Sequence, residues 1–143
     1  MFLYDDRLEP AIPKVRVRVT DKMRRLTFPS FDAFVDTGAD RTCIPESIGA
    51  RNPNVSYEYC RVKGEDHEMI RITTAVVELL DEDNQVLFSE TYRDLRLPLY
   101  GETVGGSDLG YLGRDVLNTR SCRFSGPRLR WFIERDDQEA NVV

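Results

Sequence analysis

Hydrophobic residues in this chain recur mostly at every second position, the spacing at which side chains of an extended strand return to one face. Val15-Arg16-Val17-Arg18-Val19-Thr20 alternates cleanly, with three valines on one face and two arginines on the other. Met69 to Leu80 is rich in β-branched residues and long enough for an extended strand, while Val86-Leu87-Phe88 and Leu95 to Leu99 predict shorter ones. Asp81-Glu82-Asp83-Asn84 supplies a hairpin turn after the first of these. Arg128 to Glu134 predicts a last strand, and only Gly113 to Arg120 carries a helical pattern, a short one. Seven prolines spread along the chain punctuate these segments as turns between many strands require. The pattern predicts an all-β domain over 15–135, a small barrel or sandwich, with an N-terminal extension at 1–14 and a frayed acidic tail at 136–143.

Composition narrows the class. The 143 residues are one domain's worth of chain, and 41% hydrophobic with 31% charged residues is ordinary globular composition. Twenty-five acids against twenty bases give a net charge of −5, which argues against a nucleic-acid partner. The longest apolar run, Met1 to Tyr4, is far short of a membrane span and runs into Asp5-Asp6, unlike a secretory signal. Cys43, Cys60 and Cys122 form no C-x-x-C pair, and their odd number suits reduced thiols. A cytoplasmic protein with no membrane partner is the expectation.

Candidate chemistry is sparse. His67 is the single histidine, so any Ser-His-Asp or Cys-His site would have to be built on it; its neighbours Glu65, Asp66 and Glu68 predict a solvated turn instead. The cysteine spacing forms no metal knuckle, and neither a metal nor a cofactor is expected. Gly105 to Gly110 lacks the pattern of a nucleophile elbow and the lysine of a phosphate loop. What remains is Ala33-Phe34-Val35-Asp36-Thr37-Gly38-Ala39-Asp40, an apolar run ending in an acid, a stiff hydroxyl residue and a glycine. A carboxylate at the end of a buried strand is costly unless paired or used, and Gly38 lets the chain turn tightly beside it. Asp, Thr and Gly are also ordinary choices for a strand-ending turn, so the tripeptide alone leaves both readings open.

A second segment, Leu109-Gly110-Tyr111-Leu112-Gly113-Arg114-Asp115-Val116-Leu117-Asn118, passes from a strand end into the short helix. Together and in this order, the two motifs resemble those of the retropepsin-like aspartic proteases, over roughly Val15 to Ile133. The resemblance implies an acid-protease barrel with one half-site per chain. It makes Asp36 the catalytic carboxylate, with Thr37, Gly38 and Ala39 as active-site support. Gly38, Asp40 and the flap glycine Gly64 would meet substrate, and Asp40 would pair with Arg114. With one Asp-Thr-Gly per chain, it implies an obligate homodimer in which the two Asp36 carboxylates share a proton and activate a water on a peptide or protein substrate. A flap is expected at Tyr57 to Ile72, with Lys63-Gly64-Glu65-Asp66 as its tip. The flap arms and a Tyr100–Gly110 loop account for a span from Asp36 to Gly113 longer than in the compact viral enzymes. The last strand, Leu129 to Glu134, is expected to pair with its partner's copy or to join its own chain's sheet.

The alternative function is a catalytically silent module of the same fold that binds extended peptides or mediates dimerisation. An unrelated β-domain would need both motifs by coincidence. Ala39 stands where pepsin-like enzymes more often carry a hydroxyl residue. One hydrogen bond favouring the carboxylate is thereby lost, so activity is expected to extend towards neutral pH. A pH–rate profile checks this, and activity confined below about pH 4 would contradict it.

Overall fold

The computed structural model describes residues 1–8, 10–50 and 52–134; the expected tail at 136–143 lies outside the described residues. In chain order the strands are β1 (Phe2–Asp5), β2 (Ile12–Asp21), β3 (Leu26–Thr27), β4 (Phe31–Val35), β5 (Tyr57–Val62), β6 (Glu65–Leu80), β7 (Val86–Pro98), β8 (Glu102–Val104), β9 (Ser107–Leu112), β10 (Cys122–Ser125) and β11 (Arg130–Ile133). Two single-turn helices join them, α1 (Glu46–Gly49) and α2 (Arg114–Leu117). None of the described helices is long and apolar enough to cross a membrane.

The Val/Arg alternation of β2 is realised residue by residue. Val15, Val17 and Val19 are buried, while Arg16 meets Asp32 at 3.2 Å and Arg18 meets Glu78 at 2.9 Å on the wetter face. This strand organises the sheet, because it pairs antiparallel with β1, β4, β6 and β3 along successive parts of its length. The hydrogen-bonded path runs β10-β11-β1-β2-β4-β9-β8, with the β5-β6-β7 set branching from β2 through β6. The all-β architecture is as expected, but the sheet does not close into a barrel.

The two short strands expected at 86–88 and 95–99 fall on one strand, β7, which ends at Pro98 and is held extended over its polar middle by pairing with β6, with a register shift at Leu79/Leu80. The turn at Asp81–Asn84 forms as predicted, with Asp81 Oδ1 accepting the N–H groups of Asp83 and Gln85, each at 2.9 Å. The Tyr100–Gly110 loop is an ordered hairpin, β8 and β9, closed by Gly105 and Gly106 at positive φ. A second helix, α1, was not expected beside α2. It lacks helical periodicity of its own and is held by docking, with Gly49 packed on Ile44, Ile70 and Leu99, and Tyr57 Oη donating to Gly49 O at 2.7 Å.

Pairing of the last strand with a partner's copy does not fit the structure. Both edges of β11 are taken within the chain, by β10 and by β1. Trp131 explains why: it is fully buried, stacks on Phe2 at 4.5 Å between ring centres, and donates its indole N–H to Lys14 O at 2.7 Å. Residues 1–14 therefore contribute β1 and the start of β2 to the same sheet.

Asp5, at the end of β1, is buried, and its carboxylate accepts the backbone N–H of Arg7 at 3.0 Å together with the Arg7 guanidinium. The Arg7 side-chain bond is the main reason the Asp5 pKa falls to about 2, against the opposing effect of burial. A carboxyl lowered in this way stabilises the fold above its unfolded pKa near 4, and the contribution disappears as pH falls from there through about 2. Arg7→Ala is expected to lower stability at neutral pH in urea titration, and the difference from wild type should shrink through that acid window.

Candidate active site

Phe31, Ala33, Phe34 and Val35 are buried because β4 lies inside the sheet, antiparallel to β2 on one side and parallel to β9 on the other. The parallel pairing brings Val35 opposite Leu112, so the two sequence motifs end side by side. Asp36 N–H donates to Leu112 O at 2.9 Å and is the last rung. The chain then turns, with Ala39 N–H on Asp36 O at 3.2 Å and Gly38 N–H on Asp36 Oδ1 at 2.9 Å. A side chain at Gly38 would place its Cβ 3.2 Å from that same Oδ1, a tight contact that would press on the carboxylate. Asp36 and Ala39 are half-buried, whereas Thr37, Gly38 and Asp40 are exposed. Among the described residues the Thr37 hydroxyl makes no hydrogen bond.

The helix motif locks this loop from below. Arg114 N–H donates to Ala39 O at 2.9 Å, but no hydrogen bond or ion pair joins the Asp40 and Arg114 side chains among the described residues. The acid next to Arg114 makes the tie instead. Asp115 accepts Thr42 N–H at 3.0 Å, Thr42 Oγ1–H at 2.7 Å and Val116 N–H at 2.8 Å. Thr42 Oγ1 in turn accepts Gly113 N–H at 3.1 Å. Burial raises the Asp115 pKa, and these donors act in the opposite sense. A Cβ on Gly113 would lie 2.5 Å from the Arg41 carbonyl, so only glycine allows the two segments to approach this closely.

Asp36 opens into a cleft of about 660 Å³ lined by Gly38 to Arg41, Cys43, the flap strand from Cys60 to Lys63, Pro98, Tyr100 and Tyr111. The flap is the β5–β6 hairpin, and its tip is the two-residue turn Lys63-Gly64 at φ 51° and 80°. Glu65 and Asp66, expected in the tip, already belong to β6, where Asp66 meets Arg61 across the hairpin at 3.2 Å. Gly64 is exposed, does not line the cleft, and has open space around its Cβ position. His67 is not in a solvated turn: it sits half-buried on β6, edge-on to the Tyr100 ring at 5.1 Å.

Electrostatics select among the cleft's reactive groups. Burial pushes the Cys43 thiol up to about 12 and raises Cys60 as well, so neither is a thiolate at neutral pH. Burial likewise raises Tyr111. The carboxylates Asp36 and Asp40 remain as acid–base groups. Among the described residues no group of three His, Cys, Asp or Glu side chains could hold a metal ion. A second hollow of about 330 Å³, between β1, β2 and the 81–83 turn, contains neither motif, and its Arg16 and Asp32 are already paired. The site therefore belongs to the larger cleft.

Sequence reasoning singled out the loop but missed Thr42, Tyr100 and Tyr111. It also assigned the helix motif's role to Arg114 where Asp115 makes the tie. The spacing from Thr42 to Asp115 carries no local pattern, and the tyrosines lie at strand ends like any aromatic. A family model described as retroviral aspartyl protease matches residues 10–124, while no curated protein matches the chain.

Thr42→Val keeps the shape but strands the Gly113 N–H and removes one donor to Asp115. It is expected to cost about 2–3 kcal/mol in urea titration, with Thr42→Ser restoring most of it.

Proposed function

The chain belongs to the retroviral aspartyl protease family, and from that premise we propose that it is an aspartic endopeptidase whose working site is assembled from two copies. The observation that carries the proposal is the setting of Asp36. Its carboxylate stands at the end of a buried strand, faces a peptide-sized cleft beneath a hairpin flap, and has one oxygen oriented by the Gly38 N–H. The exposed Thr37 hydroxyl, with no partner among the described residues, suits a contact across a twofold axis that would bring two Asp36 side chains together.

Two carboxylates at such a distance cannot both ionise comfortably, so the pair holds one proton. The ionised member takes a proton from a bound water as the water oxygen attacks the scissile carbonyl carbon. The protonated member donates a hydrogen bond to the carbonyl oxygen and stabilises the charge that develops there. Collapse of the tetrahedral species breaks the C–N bond, and the proton gained from water goes to the leaving amine. The substrate lies extended between floor and flap, held by main-chain hydrogen bonds, with Gly38 and Asp40 along its path. Closure of the flap excludes bulk water from the reaction.

The test is cleavage of a mixed peptide library by wild type and Asp36→Asn between about pH 4 and about pH 8. The substitution keeps the shape and is expected to lower turnover by about 100- to 10,000-fold. The wild-type rate should rise faster than linearly with protein at low concentration. A protein shown to be dimeric that cuts nothing would favour the peptide-binding or dimerising module over the enzyme.

A further inference from the structure

We propose that Tyr100 is a positioning residue that seats the flap within its own subunit, its ring gripped from the flap side by Lys63 and His67. The inference rests on the cleft reading above only for its effect on turnover. The Lys63 ammonium, at the flap tip, lies over the Tyr100 ring at 5.5 Å from the centroid, within range of a cation–π contact. Four residues further along the same hairpin, His67 meets the same ring edge-on at 5.1 Å. Thus one side chain outside the flap holds both the tip and the returning strand. The Tyr100 side chain also favours the charged form of Lys63, raising its pKa.

The grip is continuous with the catalytic loop. Tyr100 stacks on Tyr111 with centroids 5.8 Å apart and planes 18° from parallel, and Tyr111 contacts Phe34 at 6.4 Å. Tyr111 and Phe34 are register partners in β9 and β4, and the next rungs end at Asp36. Tyr111 is itself held by two backbone bonds to Cys43, at 2.8 and 3.1 Å. The column Lys63–Tyr100–Tyr111–Phe34 therefore sets the height of the flap above the carboxylate by direct packing, in a chain whose flap tip carries a single glycine.

Hydrogen–deuterium exchange on the full chain tests the grip without requiring activity. Lys63→Met is expected to speed exchange of the amides in 60–67 by about two- to fivefold, and Tyr100→Leu by about fivefold or more. Tyr100→Phe keeps the ring but removes the hydroxyl that bonds Lys63, and should fall between wild type and Tyr100→Leu. Acceleration confined to the flap supports the proposal. Unchanged exchange in Lys63→Met overturns it, as does loosening spread evenly over β2, β6 and β7. Lys63 is an exposed tip residue, so Lys63→Met decides the matter even if Tyr100→Leu fails to fold. With a cleaved peptide in hand, Lys63→Met should raise KM more than it lowers kcat. A wild type shown to be dimeric that cleaves nothing counts against the protease reading and leaves the exchange result standing.

Discussion

The parallel pairing of β4 with β9 is the constraint from which the site follows. Antiparallel neighbours can be joined by a tight turn, but a parallel pair requires a long crossover. Here the crossover contains the flap, the β6–β7 hairpin and the β8 strand before the chain returns to lie beside β4. Both strands therefore end at the same level, and the Asp36 N–H meets Leu112 O as the last rung of their ladder. A buried ladder end leaves polar backbone groups to be satisfied. The Thr42–Asp115–Gly113 network contributes to this, joining the N–H groups of Thr42 and Gly113 to side-chain acceptors. The loop carrying Asp36 is thus oriented from beneath by backbone and side-chain bonds, leaving its carboxylate turned to the cleft.

The same burial decides which groups are chemically available. Nucleophilic cysteines would need their thiolates, and desolvation denies these to Cys43 and Cys60 at neutral pH. Tyr111 is kept neutral for the same reason and contributes its ring to the column under the flap. A half-buried carboxylate with one oriented oxygen is well suited to handle a proton.

At the far side of the sheet, Trp131 fastens β1 and β11 to the start of β2. This uses both edges of the last strand within the chain's own sheet.

The sequence by itself determined the local elements and singled out Asp36 as the candidate carboxylate. Alternation in Val15–Val19 could be satisfied only by a strand with one buried face, and Asp81 to Asn84 could only turn. An acid after Ala33-Phe34-Val35, followed by Thr37-Gly38, marked a candidate loop, and the second motif at Leu112-Gly113 separated it from an ordinary strand-ending turn through the family resemblance. Tertiary structure alone decided what meets across long separations. Thr42 finding Asp115, Tyr100 finding Lys63 and His67, and β11 finding β1 leave no periodic trace, because each contact is fixed by strand register and crossover and not by neighbours in the chain. The same applies to α1 and to the middle of β7, where docking and cross-strand pairing outweigh weak local preference. Periodicity reports only which way a side chain faces; the partner it meets is set by the packing of the whole sheet.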